Sequence, residues 1–213
     1  MSRRHHCPPP PPPLPSGYQP LNYIQSTGTQ YINLNINVSS AKIEYQFRYS
    51  KAYSSNGGWS FLGGGNANDT NWTCNFYHYI MQLRLYVGTS GNIFNYNLSA
   101  DVPYDVDCVV NPLNHTYDIS FNGQRQYGSF NGSLSTYSPY LFSFNRGGTR
   151  VYNFAGKCWY LKMFYNDNVV RDLIPALRIS DYKVGLYDLC GSICPLTNTP
   201  FYINAGSGDF LYG

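Results

Sequence analysis

Glutamate is almost missing from this 213-residue chain: Glu44 is the only one, beside five lysines. Charged residues make up 12% of it, about half the usual share. Helices draw heavily on Ala, Leu, Glu and Lys, so a mainly helical protein is excluded. No apolar run approaches the ~20 residues of a membrane-crossing helix. Nor is there a basic stripe: without Arg3 and Arg4, 12 basic side chains face 11 acidic ones. Such a balance argues against nucleic acid as a partner. Arg3 and Arg4 are followed by His5, His6, Cys7 and prolines, not by the apolar stretch of a secretion signal. The expectation is a chain made and kept in the cytoplasm. The six cysteines are too sparse for a disulfide scaffold. Cys108 and Cys158 lie in strand-like apolar runs and read as buried free thiols. Cys190 and Cys194 have the spacing to close a small loop or to hold half of a zinc site, but no second ligand pair completes the latter and unremarkable thiols are the expectation.

What the chain has instead is 22 Tyr, 12 Phe, 20 Gly, 22 Asn and 20 Ser. These residues suit strands joined by tight turns. Residues 1–20 stand apart, with eight of the 14 prolines and the run Pro8, Pro9, Pro10, Pro11, Pro12, Pro13 before Leu14. Such a run enters neither helix nor sheet and favours polyproline II. It serves either as a stiff leader or, with Arg3 and Arg4, as a docking peptide gripped by a larger assembly. Residues 21–213 read as one all-β domain.

Within that domain Lys42–Tyr49 alternates, with Ile43, Tyr45, Phe47 and Tyr49 on one face. Val102–Val110 and Thr116–Phe121 are further strands, and Asn122-Gly123 is the strongest hairpin signal. Tyr140–Phe144 reads as one strand. Cys158–Tyr165 reads as a core strand with Trp159, Leu161, Met163 and Tyr165 inward. Many short strands at close spacing predict an antiparallel two-sheet β-sandwich or jelly roll.

A glycosidase needs paired carboxylates. The strand Ile43-Glu44-Tyr45-Gln46-Phe47 supplies Glu44 with no acidic partner, and Asp105 and Asp107 read as a solvated strand face. No histidine is spaced with a nucleophile, so no catalytic residues and no enzyme are expected. Sugar sites need flat aromatic faces together with amides or carboxylates. The glycine-rich stretch 53–72 offers Tyr53, Asn56, Trp59, Asn68, Asp69, Asn71 and Trp72. Trp59, followed by Phe61 and Leu62, reads equally well as core, and Trp72 is the better glycan candidate. Asn66, Asn68 and Asp69 offer too few charged oxygens for calcium, so no metal or other cofactor is predicted.

Two ends of the domain carry recognisable motifs. At the start stand Leu14-Pro15-Ser16-Gly17-Tyr18 and Tyr23-Ile24-Gln25-Ser26-Thr27-Gly28-Thr29-Gln30-Tyr31-Ile32. Near the end stand Val170-Arg171-Asp172-Leu173-Ile174-Pro175-Ala176, Val184-Gly185-Leu186-Tyr187-Asp188-Leu189 and Phe201-Tyr202-Ile203-Asn204-Ala205-Gly206-Ser207-Gly208-Asp209-Phe210. These resemble the laminin-G-like, concanavalin-type jelly rolls of tailed-phage virion structural proteins. The resemblance implies a virion surface protein, a fibre or a capsid decoration, assembled in the host cytoplasm and anchored by its N-terminal arm. Its implied partners are other virion proteins, further copies of itself as a homo-oligomer such as a trimer, and host or mucosal glycans. The alternative is a freestanding carbohydrate-binding, lectin-like module.

Overall fold

The computed structural model describes residues 13–37, 39–52, 58–68, 70–79, 82–91, 95–190 and 200–213. Among them there is no helix. The strands are β1 (Tyr18–Pro20), β2 (Ile24–Thr27), β3 (Ile32–Asn33), β4 (Ile43–Lys51), β5 (Gly58–Gly65), β6 (Trp72–Tyr79), β7 (Gln82–Gly88), β8 (Asn95–Asn97), β9 (Tyr104–Asn111) and β10 (Thr116–Phe121). They continue with β11 (Gln124–Ser129), β12 (Tyr140–Leu141), β13 (Phe144–Arg146), β14 (Thr149–Val151), β15 (Ala155–Tyr165), β16 (Asn168–Arg178), β17 (Lys183–Asp188), β18 (Phe201–Ile203) and β19 (Leu211–Tyr212). The larger sheet runs β11-β10-β9-β4-β15-β16-β17-β18, with β1, β2 and β19 added at its side. The smaller runs β14-β13-β5-β6-β7-β8, with β3 and β12 attached.

The two sheets meet through rings. Inward alternation on β4 places Tyr45, Phe47 and Tyr49 fully inside, as periodicity predicts. Phe47 stacks on Phe61 of β5 at 5.0 Å and meets Phe76 of β6 edge-on at 4.8 Å. Tyr49 stacks on Phe61 at 4.5 Å. Such pairs add to the burial of large apolar area. Asn122 and Gly123 take φ of 45° and 81°, the left-handed pair of a type I′ turn whose twist suits a hairpin. Cys108 and Cys158 are buried free thiols, as is Cys74. Cys194 lies outside the described residues.

Three sequence expectations are corrected. Trp159 does not join the core face. The register of β15 against β4 slips between Cys158 and Tyr160, so Cys158, Leu161 and Met163 point inward and the indole packs outside against Tyr23 at 5.8 Å. A bulge inverts alternation locally, which a regular period does not reveal. Tyr140–Phe144 is two strands, because Phe142 takes φ of 62°. Its amide bonds to Phe61 O at 2.6 Å, and β12 then pairs antiparallel but β13 parallel to β5. Tyr18–Pro20, which composition assigns to the arm, pairs with Arg178–Ala176 of β16.

The terminal motifs close the fold. Gln30 accepts from Thr27 N at 2.8 Å and donates to Asp209 O at 3.1 Å. Asn204 accepts from Tyr31 N at 3.0 Å. A side chain at Gly206 would meet Thr29 O at 2.1 Å, so only glycine lets the two segments touch. Arg171 is wholly buried. It donates to Leu34 O at 3.0 Å, Asn35 O at 3.2 Å and Val170 O at 2.6 Å, and lies 3.8 Å from Asp188. The motif residues that carry the resemblance therefore act as clasps.

Candidate functional site: an aromatic trough on the smaller sheet

The outward face of β5 is nearly bare. A side chain at Gly58 would overlap the Tyr77 hydroxyl at 1.5 Å, and one at Gly65 would meet the Phe144 ring at 2.6 Å and Trp72 at 3.1 Å. The glycines thus allow rings from neighbouring strands to lie across β5. Tyr77 leans over it from β6. Tyr86, on β7, stands at 87° to Tyr77 with centroids 5.6 Å apart, and Tyr152, just after β14, stands at 77° and 5.5 Å. Trp72 is tilted against Tyr86 at 5.1 Å. Together with Asn75 these four rings line a trough of about 160 Å³.

Trp72 reaches this position through a register slip between Trp72 and Asn75 against β7. The preceding turn is fixed by Asn66, whose side-chain oxygen accepts from Thr70 N at 2.9 Å and Asn71 N at 3.3 Å. Asn75 is buried at the base of the trough and accepts from Ser60 Oγ at 2.7 Å. Arg146, level with Gly65 and Trp72 across the sheet, bonds the Tyr152 hydroxyl and lies 5.0 Å from its ring centre. Burial, then the neighbouring Tyr152 and Tyr86, raise the pKa of Tyr77, so its hydroxyl stays protonated at neutral pH and can donate. Ring faces, hydroxyls, an amide and a guanidinium converge here, the groups that suit the apolar faces and hydroxyl edges of a sugar.

The predicted site residues do not all gather. Trp59 sits at the other end of the β5–β6 ladder, opposite His78, and packs against the core with Lys51 Nζ 4.1 Å above its ring. Asn68 is exposed and Asn71 half-buried in the turn before Trp72. Tyr53, Asn56 and Asp69 lie outside the described residues. So do Arg3, Arg4 and Pro8 to Pro12, while Pro13 is exposed and Leu14 half-buried. Tyr77, Tyr86 and Tyr152 were not legible as site residues. The one signal for Tyr77 and Tyr86 is outward phase in strands whose alternate residues, such as Phe76, Leu85 and Leu83, are core, and Tyr152, which follows β14, carries no such signal.

A second group of polar residues occupies the outward face of the larger sheet. Glu44, which has no acidic partner along its own strand, meets Asp107 and Asp118 across β9 and β10, with Arg125 completing a groove of about 460 Å³. Burial, followed by Glu44 and Asp118, raises the Asp107 pKa, while Arg125 opposes the rise. Cross-strand neighbours thus supply the carboxylates that the sequence reading of Glu44 missed. Beneath the sheets, His78 is fully buried, and neither ring nitrogen has a hydrogen-bond partner. Burial, then Lys51, pushes its pKa well below the ordinary value.

A scan against protein-family models returns no match, and neither does a search of curated proteins. Solved structures show the fold. A native heptameric SAP-like pentraxin from Limulus polyphemus aligns with a TM-score of 0.56 at 12% identity, over 90% of this chain and 94% of that one. The CBM40 domain of the Ruminococcus gnavus IT-sialidase, solved with α2,3-sialyllactose, aligns with a TM-score of 0.53 at 17% identity, over 71% of this chain and 92% of that one. The same domain with α2,6-sialyllactose gives 0.51 at 18% identity, with 71% and 92% covered. The chain is a two-sheet jelly-roll β-sandwich similar in fold to a carbohydrate-binding module and a pentraxin.

Proposed function

We propose that this chain is a carbohydrate-binding module that holds its glycan in the trough of Trp72, Asn75, Tyr77, Tyr86 and Tyr152. The observation that carries the reading is the trough itself: four half-buried rings around one amide, set on a glycine-bared strand. Likeness of fold to a sialyllactose-binding domain supports it. Binding rather than hydrolysis fits the lining, because among the described residues no carboxylate lines the trough.

A glycan array that includes both sialyllactoses, followed by titration calorimetry on the hits, tests this. Trp72→Ala should weaken a hit about tenfold, equivalent to ~1.4 kcal/mol, with an unchanged circular dichroism spectrum. Full binding by a folded Trp72→Ala protein would remove the trough from the reading.

The terminal motifs favour a setting for such a module: display on a phage virion surface as a homo-oligomer, with Arg3, Arg4 and Pro8 to Leu14 as the anchor. Mass spectrometry of gradient-purified particles tests that setting. Deleting residues 2–17 should leave a folded domain that no longer enters particles, and normal incorporation would end the anchor idea.

A further inference from the structure

Resting on the carbohydrate reading, the geometry points to a linear oligosaccharide chain, bound lengthwise along β6, as the ligand. The trough is one station on a longer row. Phe76 and His78 of β6 are fully buried, so Asn75, Tyr77 and Tyr79 share the opposite, outward face, and the slip before Asn75 adds Trp72 to it. From Trp72 to Tyr79 the row spans roughly 20 Å at strand rise, several times the width of one sugar ring.

Each stretch of that row carries both a flat surface and polar edges. At one end Trp72 faces Arg146 across Gly65, a position with no side chain between them. In the middle lie Asn75 and Tyr77, walled by Tyr86 and Tyr152. At the far end Tyr79 is 41% exposed, and the guanidinium of Arg84 lies 4.6 Å from its ring centre. Arg84 in turn is held by Gln82 Oε1 at 3.2 Å, so a second planar group is fixed beside the ring. A site for a single terminal sugar needs only the trough from Trp72 to Tyr77. Tyr79 and Arg84 lie beyond the trough lining, where a ligand reaches them only by continuing past it.

The test is titration of the full chain with linear oligosaccharides of one to six units, built from glucose, N-acetylglucosamine or galacturonic acid, beside 3′-sialyllactose. Affinity should rise about tenfold or more from the disaccharide to the tetrasaccharide and then level off. Tyr79→Ala should cut that length-dependent gain at least threefold. Equal affinity for short and long members, or binding of sialyllactose alone, would overturn the lengthwise chain and leave the carbohydrate reading standing. Binding of no sugar at all would sink both. Saturable binding of a synthetic peptide of residues 1–17, with no sugar bound, would instead assign the rings to a proline-rich segment.

Discussion

The two sheets obey one rule inside and opposite rules outside. Both turn alternate apolar residues toward a shared core. Outward, the strands of the larger sheet carry carboxylates and cations that meet in pairs: Arg48 with Asp105, Arg125 with Asp118, Lys162 with Asp172. Among the described residues, the strands of the smaller sheet carry no carboxylate, and their only charged residues are Arg84, Arg146 and Arg150. Tyrosines, a tryptophan and glycines occupy the space instead. A face of exposed ion pairs is well solvated and contributes little to stability. Half-buried rings are poorly solvated and gain from a partner that covers them. Two faces of equal standing in the fold therefore differ in what they can hold.

The largest effect belongs to neither face. Arg171→Met removes a buried guanidinium and its bonds to Leu34 O, Asn35 O and Val170 O, and leaves the buried Asp188 carboxylate, which Asp172 N and Cys190 N still contact, without its counter-charge. Breaking such a cluster costs about 3–5 kcal/mol, read as a lower urea midpoint at an unchanged slope. A loss below ~1 kcal/mol would show that the clasp is dispensable.

Next comes the contrast itself. Trp72→Ala should lower glycan affinity about tenfold, whereas Asp107→Asn on the other sheet should leave it unchanged. If calorimetry shows the reverse, the carboxylate groove is the binding face and the comparison is inverted.

His78 sharpens the view of the shared interior. Its folded pKa lies well below 6.5, so the unfolded chain takes up its proton first as the pH falls. The stability contributed by the neutral, buried ring is whole above pH ~6.5 and is lost progressively below it. The loss approaches ~1.4 kcal/mol per pH unit while the folded ring stays neutral. His78→Phe should flatten the melting temperature between pH 7 and pH 5. An unchanged slope in that variant would place the acid sensitivity elsewhere.

The smallest effect is expected from the carboxylates. Burial, then Glu44 and Asp118, raise the Asp107 pKa above that of a free aspartate. A carboxyl with a raised folded pKa favours folding below its unfolded pKa, and that advantage fades as the pH rises through the folded value. At pH 7 Asp107→Asn should therefore stabilise slightly, by less than ~1 kcal/mol, in chemical denaturation. A clear loss of stability would mean that Asp107 is an essential partner on that face.

How much of this was legible follows from range. β4 and the Asn122-Gly123 hairpin were readable because their signals, an alternation and two left-handed residues, are local. The break at Phe142 and the bulge at Cys158 were not, since each is imposed by a neighbouring strand. Trp72 stood out because polar residues surround it in sequence. Tyr77, Tyr86 and Tyr152 did not, because they are separated along the chain and converge only through the register of β6 with β7 and the return after β14. The same holds for Glu44, whose acidic neighbours arrive from two other strands.

The sequence by itself determined an all-β chain with few charges, an aromatic interior and tight turns. Composition and short-range periodicity act within one strand, where backbone preference and side-chain phase suffice. Tertiary structure alone decided which outward residues meet. Strand order and register are set by burial across the whole sandwich, and a slip of one residue changes every neighbour. The trough exists because glycines of β5, rings of β6 and β7 and the return at Tyr152 were brought side by side by that packing.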